Sequence, residues 1–122
     1  MKRCMIVDDS NVIRKVAKRI LTSSDMTVIE AASASEALFM CQAEMPGIIV
    51  VDESLPDMTA EQFIREVVAM AGPARPNVVL CLTELNIGSV MRAKRAGAKG
   101  YILKPFNRPM LLDRFRALDL AA

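Results

Sequence analysis

The chain has 122 residues, 52% of them hydrophobic, and a formal net charge of +2. This length predicts one domain with a sizeable core, and the charge gives no strong field toward nucleic acid or membranes. No apolar run approaches the roughly 20 residues that span a bilayer, and the N-terminus lacks a signal-peptide pattern, so we expect a cytoplasmic protein without membrane insertion. Histidine is absent, which excludes Ser-His-Asp and Cys-His catalysis.

Five short apolar runs alternate with five helix-like segments. The runs that predict strands cover residues 3–7, 26–31, 47–52, 77–83 and 100–104. The first, third and fourth runs are nearly continuous in apolar residues, which is typical of strands in a parallel sheet that is covered on both faces.

The segments between the strands carry helix signals. In 10–23, an apolar stripe lies opposite four basic residues: Arg14, Lys15, Lys18 and Arg19. Capping residues are expected to open the later helices, and these are Ser33, Thr59, Asn86 and Asn107 or Arg108. The (βα)₅ pattern predicts an α/β fold with a doubly wound, five-stranded parallel sheet, in one domain over residues 1–122.

Polar residues follow four of the five predicted strands. Asp8 and Asp9 follow the first strand, whereas Asp52, Thr83 and Lys104 end the third, fourth and fifth. Each residue alone is typical of a turn or a solvated loop. Ligands bind beyond the carboxyl ends of the strands in open α/β sheets. The set therefore predicts one site at this edge.

The residue types at this edge suit a hard cation and a phosphoryl group. Three carboxylates without histidine favour Mg²⁺ (or Mn²⁺) over zinc or copper, and a dication would offset the repulsion between Asp8 and Asp9. A lysine and a threonine hydroxyl could hold an anion beside it. Asp52, alone at the end of a central strand, is the best candidate for a nucleophile that forms an aspartyl-phosphate.

Four motifs, VDDS, VVDESLPDM, VVLCLTE and GAKGYILKPF, together resemble the receiver domain of two-component response regulators. The resemblance extends from residue 3 to about residue 118. It implies a flavodoxin-like, CheY-like sheet with strand order 2-1-3-4-5. It also implies that Asp52 is the phospho-acceptor and that Asp8, Asp9 and the backbone carbonyl of Ser54 bind Mg²⁺ with it, Asp9 being the more direct ligand of the acidic pair.

The resemblance also implies how the phosphoryl group is sensed. Thr83 would hydrogen-bond it, Lys104 would pair with one of its oxygens, and the Lys104–Pro105 peptide bond would be cis. Tyr101 would be an aromatic switch that turns inward when Thr83 moves.

The function implied is that of a single-domain response regulator without an output domain. A histidine kinase or histidine phosphotransfer protein would be the donor. An unknown downstream protein would bind the fourth helix, fifth strand and fifth helix, or the chain would only drain phosphoryl groups from a kinase. We expect no DNA binding, a monomer or weak dimer, and no enzymatic activity beyond its own phosphorylation and dephosphorylation.

Two departures from the receiver pattern keep an alternative open. Ala60 stands where glycine is usual, and the acidic Glu84 stands where a small residue is common. Glu84 favours an unswitched protein-binding module, and Ser54 and Leu85 occupy positions that tune phosphoryl lifetime in the family. A phosphatase is disfavoured by the short chain and because Ser54 breaks the D-x-D spacing of such enzymes.

Overall fold

The computed structural model describes residues 2–120, in which five strands alternate with five helices. The elements are β1 (Lys2–Val7), α1 (Asn11–Thr22), β2 (Met26–Ala31), α2 (Ala34–Ala43), β3 (Ile48–Asp52), α3 (Ala60–Ala71), β4 (Asn77–Leu82), α4 (Ile87–Ala96), β5 (Gly100–Leu103) and α5 (Arg108–Ala117). The five predicted strands are confirmed, and their ends differ from the prediction by at most one residue.

The strands form one parallel sheet in the order β2-β1-β3-β4-β5, which confirms the predicted fold class and strand order. The chain runs outward from β1 to one edge and then crosses back to β3. Because every strand is parallel, all five carboxyl ends lie along the same edge of the sheet. The polar residues that follow the strands are thereby brought to one side of the molecule.

Each helix in the described range begins with a side chain that caps its first turn. The five capping residues are Ser10, Ser33, Thr59, Asn86 and Asn107, each accepting a backbone N–H three residues on. Such caps satisfy amides that have no partner within the helix, typically for about 1 kcal/mol each. No helix within residues 2–120 is long and apolar enough to cross a membrane.

Two apolar layers pack against the two faces of the sheet. Met5, Ile49 and Leu80 face α2, α3 and α4 and pack with the fully buried Phe63. Neighbouring strand residues point the other way, toward α1 and α5, and pack with Phe115. Since both faces are covered, the central strands need apolar residues at every position, which explains their continuous apolar sequence.

The three cysteines are buried in these layers as free thiols. Burial raises the pKa of Cys4 and of Cys81 to about 12, so neither forms a thiolate at neutral pH. Cys4 and Cys81 are therefore unreactive core residues.

Candidate functional site

Three carboxylates meet where β1 and β3 end side by side. Val7 pairs with Val51 in the sheet, so the next residues along each strand, Asp8 and Asp52, emerge next to each other. One carboxylate oxygen each from Asp8, Asp9 and Asp52 lies within 4.8 Å of the others. Asp8 and Asp52 are buried, whereas Asp9 is exposed at the mouth of the group.

Lys104 connects two of these carboxylates. Its Nζ atom lies 2.9 Å from Asp8 Oδ2 and 3.1 Å from Asp52 Oδ1. The reach across the sheet is possible because Leu103 pairs with Leu82 and the Lys104 N–H then donates to the Leu82 carbonyl, which places Lys104 at the carboxyl edge. The next peptide bond, Lys104–Pro105, is cis.

The electrostatics of the group reflect burial and mutual charge. Burial raises the pKa of Asp52, and the Asp8 charge adds to this, while hydrogen bonds from Lys104 and the Ser54 backbone N–H oppose it. Burial acts to lower the pKa of Lys104, but its hydrogen bonds to the two carboxylates outweigh burial and raise it. Lys104 therefore stays protonated and partly neutralises the carboxylates.

The loop between β3 and α3 is tied to the neighbouring helix. Asp57 accepts the backbone N–H of Ala34 at 3.1 Å and of Ser35 at 2.9 Å, at the start of α2. These hydrogen bonds lower the pKa of Asp57. The same loop carries Ser54, so Asp57 restrains the segment whose carbonyl is the fourth predicted metal ligand. The sequence around Asp57 gives no signal of this contact.

The remaining predicted residues, Thr83 and Tyr101, follow β4 and lie in β5, respectively, and they have different surroundings. Thr83 directly follows β4 and is exposed, as are Glu84 and Leu85 after it. Tyr101 is half-buried in β5, with the Arg114 guanidinium 4.3 Å from the centre of its ring. Arg114 also donates a hydrogen bond to the Tyr101 carbonyl at 2.6 Å, a contact that sequence reasoning missed.

The donor set fits a magnesium ion. Mg²⁺ prefers oxygen ligands, binds through one or two carboxylates and keeps several water molecules. The three converging carboxylates include an exposed one, Asp9, which leaves room for such waters. A bound cation would also offset the repulsion between like-charged carboxylates that lie this close together. Fold and site together define a doubly wound α/β domain with an acidic group whose oxygen donors suit a divalent cation.

Comparisons with known proteins agree with this class. The sequence model of the response regulator receiver domain matches residues 4–116. The chain is 32% identical to the chemotaxis protein CheY of Listeria monocytogenes, over 100% of this chain and 99% of that protein. It is also 32% identical to CheY of Thermotoga maritima, with 92% of each chain covered.

Solved structures show the same likeness. The chemotaxis response regulator CheY4 of Vibrio cholerae superposes with a TM-score of 0.87 at 28% identity, covering 97% of this chain and 98% of that one. A CheY-like receiver domain protein of Methanospirillum hungatei gives a TM-score of 0.86, also at 28% identity, with 98% and 94% covered. The chain belongs to the response regulator receiver domain family. Members of this family are signalling proteins that bind Mg²⁺ at an acidic cluster and receive phosphoryl groups from histidine kinases.

Proposed function

We propose that this chain is a phosphorylation-dependent response regulator with Asp52 as its phospho-acceptor. The observation that carries the proposal is the grouping of Asp8, Asp9 and Asp52 around Lys104, with the Lys104 ammonium in contact with both buried carboxylates. This group combines the two things that phosphoryl transfer requires, a positioned nucleophile and a means of neutralising charge.

The chemistry is an in-line displacement on phosphorus. A carboxylate oxygen of Asp52 forms a bond to phosphorus as the donor's P–N bond, in a phosphohistidine, breaks, and the histidine nitrogen keeps the electron pair and takes up a proton. Asp52 must be ionised to act as the nucleophile, and the Lys104 ammonium 3.1 Å away favours its carboxylate form. Asp8, Asp9, Asp52 and the Ser54 carbonyl would hold Mg²⁺, and the ion would supply positive charge to offset that of the phosphoryl group.

Lys104 has a second role after transfer. In the unmodified protein it pairs with Asp8 and Asp52, and formation of the acyl phosphate removes the carboxylate charge of Asp52. The ammonium is then free to pair with a phosphoryl oxygen, and Thr83, at the same edge, would donate its hydroxyl to another. These shifts would change the population of Tyr101 conformations and so the surface formed by α4, β5 and α5.

The output is proposed to be contact with a downstream protein through this surface. Leu85, just before α4, and Ile87 and Met91, in its first half, are large apolar residues that are each at least half exposed. Basic residues of α4 and α5 lie nearby in sequence, which suits an acidic partner. A simple drain of phosphoryl groups from a kinase would need the same chemistry but no such contact. We propose no other enzymatic activity, no DNA binding, and a monomer or weak dimer.

The test is intact-protein mass spectrometry after incubation with acetyl phosphate and Mg²⁺. We expect one phosphoryl mass gain in the wild type and none in Asp52→Ala or without Mg²⁺. A short-lived phosphoryl group is covered by a second arm, in which beryllofluoride is added and Tyr101 emission is recorded. The absence of both the mass gain and the emission change would contradict the proposal.

An unswitched protein-binding module is the second candidate. The observation that favours it is Glu84, which is exposed directly after Thr83 at the carboxyl edge of the sheet and adds negative charge to that edge. If this function is correct, beryllofluoride should not change Tyr101 emission in the wild type. Glu84→Ala should then restore the response, because it removes the repulsion without touching the acidic group.

A further inference from the structure

Three basic side chains of α1 converge on one acidic residue of β2. Glu30 is paired with Arg14 at 3.1 Å, Lys15 at 2.7 Å and Lys18 at 3.8 Å. The hydrogen bond from Lys15 lowers the pKa of Glu30, against the opposing effect of burial, so the carboxylate is ionised at neutral pH. The two lysines are about half exposed, whereas only 14% of the Arg14 side chain is.

Arg14 differs from the lysines because it also reaches the loop that carries the acidic pair. Its Nη1 atom donates to the backbone carbonyl oxygen of Asp8 at 2.6 Å, while its Nε atom donates to Glu30 at 3.1 Å. A third donor, Nη2, bonds the side-chain oxygen of Asn11 at 3.2 Å. The guanidinium is therefore fixed in three directions between β2, the start of α1 and the loop.

The Asp8 carbonyl belongs to the peptide unit that joins Asp8 to Asp9. Peptide units are planar, so holding this oxygen also fixes the direction of the Asp9 N–H and the position of the Asp9 Cα. The Asp8 side chain is already held by the Ser10 N–H at 2.8 Å and by Lys104 at 2.9 Å. Asp9, in contrast, is exposed, so the direction of its carboxylate depends mainly on the position of its backbone.

We propose that Arg14, itself oriented by Glu30, is a positioning residue for the cation site. It fixes the Asp8–Asp9 peptide so that the Asp9 carboxylate faces Asp8 and Asp52. The inference rests on the proposed function in one respect, namely that this site binds Mg²⁺.

An electrostatic role and a positioning role of Arg14 predict opposite changes in Mg²⁺ affinity when its side chain is replaced. A positive charge near a dication weakens binding, so loss of the charge alone would tighten Mg²⁺ binding. Loss of the contact would leave Asp9 less well directed and would weaken binding. The sign of the change therefore separates a positioning role from a purely electrostatic one.

The experiment measures Mg²⁺ affinity by isothermal titration calorimetry for wild type, Arg14→Gln and Lys15→Gln. Lys15→Gln is the matched control, because it removes the same charge from the same helix and the same Glu30 partner without a contact to Asp8. We expect Arg14→Gln to weaken binding by about tenfold, the lower range for residues that orient metal ligands. Lys15→Gln should leave the affinity unchanged or slightly tighter. Equal or tighter binding by Arg14→Gln would overturn the proposal.

A second measurement does not depend on the metal. In NMR spectra of the metal-free protein, Arg14→Gln should shift or broaden the Asp9 amide signal more than Lys15→Gln does, and Glu30→Gln should act in the same direction as Arg14→Gln. An Asp9 amide that is equally affected by both helix variants would also overturn the positioning role. If the wild type binds no Mg²⁺, the proposed function fails, while the amide signal still tests the role of Arg14.

Discussion

Replacing Lys104 with methionine should destabilise the metal-free protein, because it leaves two buried carboxylates without their shared cation. Asp8 and Asp52 are only 2% and 3% exposed, and the Lys104 Nζ lies 2.9 and 3.1 Å from their oxygens. At 3 Å and an effective dielectric constant of about 20, each contact corresponds to about 5 kcal/mol of Coulomb energy. Desolvation of the ammonium offsets much of this sum.

The measured effect of breaking a buried ion pair is typically about 3–5 kcal/mol. Because the Lys104 side chain retains 15% exposure, we expect the lower end of that range, a loss of about 3 kcal/mol in the free energy of unfolding at neutral pH. Urea denaturation without metal, in low-salt buffer, measures this loss as a lower midpoint with an unchanged slope. Lys99→Met, which changes an exposed lysine outside the site, is the control and should stay within about 0.5 kcal/mol of wild type.

Magnesium should reduce the difference between the Lys104→Met variant and the wild type. Without the ammonium, the carboxylate oxygens are free for a cation, so the variant should bind Mg²⁺ more tightly. Binding adds RT ln(1 + [Mg²⁺]/Kd) of stability to each protein, so tenfold tighter binding by the variant would recover about 1.4 kcal/mol of the expected loss at saturating Mg²⁺. An unchanged metal-free midpoint, or a loss that Mg²⁺ does not reduce, would refute this account of Lys104.

Three further predictions concern contacts outside the acidic group. Backbone amides of α2 lower the pKa of Asp57, so the ionised form of this carboxyl stabilises the fold at neutral pH. This stabilisation is lost as the pH falls through the lowered pKa. Asp57→Asn should therefore lower the urea midpoint at pH 7 but not at pH values where the wild-type carboxyl is protonated. A difference in midpoint that persists in acid would contradict this role of the Asp57 charge. Arg114→Met should increase acrylamide quenching of Tyr101, the only tyrosine in a chain without tryptophan, because the guanidinium covers its ring; unchanged quenching would contradict the contact. Gly97→Ala should lower the free energy of unfolding by about 1–3 kcal/mol in the same urea assay. The reason is that Gly97 has a φ of 132° and an added Cβ would lie 2.9 Å from a Val68 methyl group. A midpoint equal to that of the wild type would show that the backbone there adapts.

Much of the site could be predicted because parallel strands share a carboxyl edge. Asp8, Asp52 and Lys104 are far apart in the sequence, yet each directly follows or ends a strand, so their placement at one edge of the sheet follows from the strand pattern alone. The strand order, in contrast, could not be predicted from the strand pattern. It depends on pairing between distant segments, and it was predicted from the resemblance to receiver domains rather than from periodicity.

Other contacts could not be predicted from the chain. Arg14 is one of four basic residues on the same face of α1, and nothing in the sequence around it indicates that it reaches the Asp8 carbonyl. The contact of Arg114 with Tyr101 depends on how α5 lies against the edge of the sheet. Asp57 resembles any acidic loop residue until α2 is placed beside it.

The sequence by itself determined the succession of strands and helices, their caps and the residues at the carboxyl edge, because periodicity, capping and parallel pairing are local or follow directly from chain direction. Only the tertiary structure decided which side chains restrain that edge. Those contacts join elements distant in the chain, and their geometry is set by how helices pack on the two faces of the sheet, where a shift of an ångström or two makes or breaks a hydrogen bond.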